Sequence, residues 1–235
     1  MRVLRSGGGG RRHAGGMHIG VIGAGQLGAT LAEWCAESGH DVAVASRHPE
    51  RLGGVVDHLG GHGTALPVPE AVTFADVVLF APNWETAPEA IELAGTALDG
   101  KIVIDATNPT GSDLMGAPSG FEMLMRMAPR AHWAKALNTL STDVLHRRRG
   151  HDPLLAEFVC TDLSDARRAA SAVIRDMGFA PFYAGGVESA WLTEPGGPLQ
   201  QTEVDVFHAK DALAEALMTS TPVDMPGLAA RPRRG

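Results

Sequence analysis

The sequence predicts an α/β fold: a doubly wound, mostly parallel sheet with helices on both faces. Three observations predict it. Short apolar runs alternate with helical spacings along most of the 235 residues, the pattern of a parallel sheet whose strands are joined by helices. The first apolar run, residues 18–22, leads directly into Gly23-Ala24-Gly25-Gln26-Leu27-Gly28, which fits G-x-G-x-x-G. The second run ends in Ala45-Ser46-Arg47, where Rossmann folds that bind NAD carry an acid for the ribose 2′-hydroxyl.

Residues 18–22 form a short buried strand, and Gly23 permits the tight turn after it. Gly25 lets the backbone approach a pyrophosphate. Gly28 lets the following helix lie close to the sheet. That helix is expected over 26–38, with Leu27, Leu31, Trp34 and Cys35 at helical spacing and Gly39 as its stop. Its N-terminal amides and dipole favour an anion at the turn. The second strand, 41–45, ends without an acid. Ser46 and Arg47 suit a 2′-phosphate by hydrogen bond and charge, with Arg51 one helical turn further on. The predicted cofactor is therefore NADP(H).

The alternation continues with a third strand over 75–81, a helix over 88–97 and a fourth strand over 101–106. A helix follows near 119–127, then a fifth strand over 132–137 and a sixth over 157–160. A helix over 165–177, a short seventh strand over 179–183 and a final helix over 204–218 complete the pattern. Loops at the carboxyl ends of the strands are expected on one sheet edge. Three of them are polar and compact: Ala81-Pro82-Asn83-Trp84, Thr107-Asn108-Pro109 and Asn138-Thr139. Asn108 and Asn138 offer both donors and acceptors, although asparagine is also a common turn former. Met115, Met123, Met125 and Met127 read more simply as core filling than as a pocket lining.

Composition narrows the function. The net charge is −7, and the first 16 residues hold four arginines and no acid, so the remainder is more acidic still. With 5% aromatic residues, neither a basic surface nor a stacking platform for nucleic acid is expected. No apolar run is long enough to span a membrane. Cys35 and Cys160 belong to no C-x-x-C and read as core residues of a reducing, cytoplasmic protein. Residues 1–16 read as a disordered extension, with Met17 as a candidate natural start. Residues 17–219 form the nucleotide-binding domain, and 220–235 a flexible tail.

GxGQLG, the Ser46-Arg47 strand end, Asp105-Ala106-Thr107-Asn108-Pro109 and Lys135-Ala136-Leu137-Asn138-Thr139 together resemble the coenzyme F420-dependent NADP oxidoreductase family. The reductase domains of the STEAP metalloreductases and of pyrroline-5-carboxylate reductase are more distant likenesses. The resemblance runs from about Met17 to Leu199. It implies that Gly23, Gly25, Gln26, Leu27 and Gly28 cradle the pyrophosphate, and that Ser46, Arg47 and Arg51 hold the 2′-phosphate. Ala81, Pro82, Asn83, Trp84, Asn108, Pro109 and Asn138 would border the nicotinamide. It also implies a homodimer and direct hydride transfer to F420, a small-molecule acceptor. The sequence departs from the family at Gly186-Val187 and over 188–200, which lack the apolar helix that usually closes the deazaflavin pocket. A reductase of a small carbonyl or imine, and a non-catalytic NADP(H) sensor, therefore stand beside that reading. A carbonyl or imine must gain a proton with its hydride. Asn138 and Lys135 are the candidate catalytic residues, with His132, Asp105 and Tyr183 behind them. A lysine placed like Lys135 commonly faces solvent.

Overall fold

The computed structural model describes residues 16–111 and 116–219. The first fifteen residues of the expected extension, Met115 and the expected tail lie outside them. In chain order the elements are β1 (His18–Ile22), α1 (Gln26–Glu37), β2 (Asp41–Ala45), α2 (Gly53–His58), β3 (Gly63–Leu66), α3 (Val68–Phe74), β4 (Val77–Phe80) and α4 (Ala87–Ala94). There follow β5 (Ile102–Asp105), α5 (Gly120–Met127), β6 (His132–Lys135), α6 (Thr142–Arg148), β7 (Ala156–Cys160), α7 (Ser164–Asp176), β8 (Ala180–Gly185) and α8 (Ala209–Thr219).

The eight strands form one sheet in the order β3-β2-β1-β4-β5-β6-β7-β8. β1 pairs in parallel with both β2 and β4, so the chain reverses its direction of travel across the sheet between β1 and β4. A crevice opens at the carboxyl ends of strands at such a switch point. One face is covered by α3, α4, α5 and α8 over a core that includes Phe80, Ile91, Phe121 and Trp133. The other is covered by α1, α6 and α7 over Leu31, Trp34, Leu145 and Ile174. The central strands are buried on both faces, which is why they read as unbroken apolar runs.

Three features depart from the sequence expectation. β3 is an additional strand, preceded by α2 and linked to β4 by α3, and α6 is an additional helix. β7 runs antiparallel to β6, and β8 follows β7 in parallel. The carboxyl ends of β7 and β8 therefore lie on the edge opposite the other six. The final helix also begins later than residue 204. Asp205 pairs with Leu155 as an isolated bridge, and its Oδ1 accepts from the amides of Phe207 (2.9 Å) and His208 (3.1 Å). That side chain ends the extended segment and starts α8.

Cys35 and Cys160 are fully buried, and burial first of all pushes both thiols up to about 12, so neither is a nucleophile. Met123 is buried, and Met125 and Met127 pack against the same core. No helix among the described residues is long and apolar enough to cross a membrane.

Candidate nucleotide-binding cleft

The crevice between β1 and β4 is a cleft of about 160 Å³. Gly23, Ala24, Gly25, Ser46, Arg47, Ala81, Pro82 and Asn83 line it, together with Thr86, Glu89, Ala90 and Leu93 from the segment around α4. Its two walls are tied to the sheet by backbone bonds from Gly23 N to Ala45 O (2.9 Å) and from Ala81 N to Ile22 O (2.8 Å).

The three glycines differ physically. Gly23 has φ +97°, and a Cβ there would lie 2.5 Å from Ala81 O. A Cβ on Gly28 would lie 1.9 Å from Gly23 O. Both glycines are required for the chain to pack on itself. Gly25 is exposed, and the nearest atom to a Cβ there is Asn83 Oδ1 at 3.9 Å. The space above Gly25 is therefore free for an incoming group, and α1 begins directly beneath it. An open space at the N-terminus of a twelve-residue helix fits a pyrophosphate.

At the other end of the cleft Ser46 Oγ accepts from His48 N (3.1 Å), which fixes the turn after β2. Arg47 is half-exposed, and its Nη1 lies 3.0 Å from Glu89 Oε2. Arg51 does not line the cleft; its Nε is 3.9 Å from Glu50. Gln26 and Leu27 sit at the start of α1 outside the lining. Trp84 and Pro109 approach the position of a Gly120 Cβ to 2.9 and 3.0 Å. They pack on the start of α5 and do not line the cleft.

The loops after β5 and β6 meet. Asn108 Nδ2 donates to Asn138 O (2.7 Å), and Asn138 Nδ2 donates to Asn108 Oδ1 (3.0 Å) and to Thr193 O (2.8 Å). A second cavity of about 500 Å³ begins at this pair and is lined further by Thr139, Ser141, Gln200 and Glu203. Leu137, at φ +62°, turns the chain at the end of β6 so that Asn138 enters this network.

Lys135 corrects the sequence expectation, because it faces neither solvent nor the cleft. It is fully buried, with Nζ 2.8 Å from Asp105 Oδ2, 2.5 Å from Thr107 O and 3.6 Å from Glu194 Oε1. Glu194 in turn accepts from the amides of Gly120 and Phe121 at 2.8 Å each, at the N-terminus of α5. Asp105 Oδ1 accepts from Thr107 N (2.9 Å) and Thr107 Oγ1 (2.7 Å) and shapes the loop that carries Asn108. This network binds two strand ends, a helix start and the turn near residue 193 into one unit.

His132 and Tyr183 lie on the opposite sheet edge. His132 Nδ1 is 2.5 Å from Asp165 Oδ2, and that bond holds the Asp165 carboxyl below the usual carboxylate range. Tyr183 OH donates to Thr161 O (3.2 Å). His132 lies there because it starts β6, and the reversal of β7 and β8 places Tyr183 beside the loop after β7.

Residues 18–109 match the family described as NADP oxidoreductase, coenzyme F420-dependent. The matched segment runs from β1 to the loop after β5 and contains every residue that lines the cleft. The chain is also 32% identical over 175 residues to the metalloreductase STEAP3 of Rattus norvegicus, a match covering 73% of this chain and 34% of that protein. The chain thus spans about a third of the length of that curated relative. A structure of a Sinorhizobium meliloti protein superposes with a TM-score of 0.72 at 28% identity, covering 80% of this chain and 95% of that one. A protein of Arthrobacter sp. assigned as an F420-dependent NADP reductase shares the fold at a TM-score of 0.63 and 24% identity, over 74% of this chain and 87% of that one. The family is one of NADP-dependent oxidoreductases.

Proposed function

We propose that the protein passes a hydride between NADPH and coenzyme F420, or a similar conjugated ring acceptor, held at the sheet edge beside Asn108 and Asn138. One observation carries this reading. Along the sheet edge, the loops after β4, β5 and β6 present backbone and neutral amide groups: Pro82, Asn83, Asn108 and Asn138. The protonatable residues that the sequence offers are engaged elsewhere, Lys135 in a sealed ion pair and His132 and Tyr183 on the far edge, and Glu203, which lines the second cavity, is held as a carboxylate by Arg148 and Arg147. Reduction of a carbonyl or imine calls for a proton donor at the reacting atom. A conjugated ring spreads the charge that arrives with the hydride and can take its proton from solvent. The chain's task is then to align two rings and exclude competing reactions.

In this reading the exposed face of Gly25 and the start of α1 hold the pyrophosphate. Ser46 and Arg47 hold the 2′-phosphate, and Ala90 and the half-exposed Leu93 offer apolar surface to the adenine. The second cavity, within the size range of small-ligand sites, receives the acceptor. A homodimer is part of the proposal: Phe207, before α8, and Leu217 and Met218, at its far end, are exposed apolar side chains that a second copy would cover.

The test is hydride transfer with purified protein, NADPH or NADH, and F420, following the deazaflavin absorbance. Fast reduction with NADPH and slow reduction with NADH is expected. Tight NADPH binding with no F420 turnover would overturn the acceptor assignment. Turnover of an imine or ketone in its place would identify a small-molecule reductase, and binding with no turnover of either a sensor.

A further inference from the structure

The cleft contains its own anion at the position assigned to the 2′-phosphate. Glu89 is the one acid among the described residues that line the cleft, and its Oε2 lies 3.0 Å from Arg47 Nη1. It comes from α4, on the other side of the cleft from β2, so the ion pair bridges the cleft between its walls. Glu89 stands in the first turn of α4, where the helix N-terminus favours a carboxylate. Both partners are about half-exposed, 55% for Arg47 and 48% for Glu89. A pair so open to water is weak and exchanges its partner readily.

Two ligands would meet this pair differently. A 2′-phosphate needs Arg47 and brings nearly two negative charges toward Glu89, so the carboxylate must give up the arginine and move away. A 2′-hydroxyl brings no charge. It leaves the ion pair in place, and a carboxylate oxygen of Glu89 is an acceptor for it. The acid that NAD-binding folds carry at the end of the second strand is absent at Ser46-Arg47, and α4 returns a carboxylate to the same corner of the cleft.

We propose that Glu89 is a specificity-determining residue: a tethered competitor for Arg47 that weakens NADP(H) and does not weaken NAD(H), so that the protein discriminates between them less than Ser46 and Arg47 alone would allow. The inference rests on the assignment of Arg47 to the 2′-phosphate, and the test separates the two.

The dissociation constants of NADPH and NADH are measured at fixed ionic strength for the unaltered protein, Glu89→Gln and Arg47→Ala. Glu89→Gln is expected to tighten NADPH by about three- to tenfold, with NADH changed by less than about twofold; added salt should shrink the gain. An unchanged ratio makes Glu89 a bystander and overturns the proposal. A weaker NADPH affinity overturns it too, because Glu89 would then be orienting Arg47 for the phosphate. Arg47→Ala decides the underlying assignment. Loss confined to NADPH upholds the 2′-phosphate role whatever Glu89→Gln does, whereas equal loss for both nucleotides removes that role and the inference with it. Both side chains lie at the surface, and unchanged melting temperatures show that the variants fold.

Discussion

Single atoms at three glycines separate binding from folding. A Cβ on Gly28 collides with Gly23 O, an immovable backbone atom, whereas a Cβ on Gly25 enters open space. Gly28→Ala should therefore lower the melting temperature by several degrees before any ligand is added. Gly25→Val should leave melting unchanged while abolishing binding of either nucleotide; a variant that still bound NADPH would contradict the assignment of the pyrophosphate to that space. Lys135 gives the second test at this scale. Lys135→Met leaves Asp105 and Glu194 buried without their cation, which costs about 3–5 kcal/mol and should appear as a fall in the urea midpoint. A variant that kept its stability and lost only turnover would make Lys135 a catalytic group after all. The glycines and Ser46-Arg47 were legible in the sequence because each answers a local demand of turn, close approach or charge. Lys135 was not, since alternation along a strand names its face but not the carboxylates that Asp105 and Glu194 bring from 30 and 59 positions away.

At the scale of the element, β7 carries a carboxyl where an apolar residue belongs. Glu157 is fully buried on the strand face it shares with Leu155 and Val159, beneath α7, and neither of its oxygens has a hydrogen-bond partner. Burial raises its pKa from 4.5 to about 8, so it is neutral in the folded chain near neutrality. Below about pH 4.5 the group is neutral in folded and unfolded chains alike. From there to about pH 8 only the unfolded chain ionises, so stability falls as pH rises, by up to about 1.4 kcal/mol per unit. Urea unfolding at pH 5.5, 6.5 and 8 should show that slope, and Glu157→Gln should flatten it. Equal slopes for both proteins would mean that Glu157 is ionised or solvated in the fold. The other elements divide by the strength of their local pattern. β1, β2, β4 and α1 were plain in the sequence, the strands as buried apolar runs and α1 as a helical spacing between Gly25 and Gly39. β3 was missed because Gly63-Thr64-Ala65-Leu66 is only half-buried at the sheet edge and carries no unbroken apolar run. α6 was missed because it buries a single side chain, Leu145.

Over the whole molecule, the order of the strands decides what the site contains. The switch between β1 and β4 brings Gly25, Ser46, Arg47 and Asn83 into one cleft, and the pairing of β5 with β6 brings Asn108 against Asn138. The reversal of β7 and β8 carries Tyr183 and Asp165 to the other edge. The apolar surface left by α8 makes the mass in solution a test at this scale. Light scattering should give twice the chain's 24.6 kDa, and a monomer at every concentration would remove the dimer from the proposal. The sequence by itself determined the β1-turn-α1-β2 unit, from the strand and glycine turn to the Ser46-Arg47 strand end, because those features are encoded in adjacent residues and depend on backbone sterics. Only the tertiary structure decided that Lys135 is sealed, that His132 and Tyr183 lie far from the cleft, and that Glu89 occupies Arg47. Each of these depends on which distant segments the sheet order places side by side, and no local pattern specifies that.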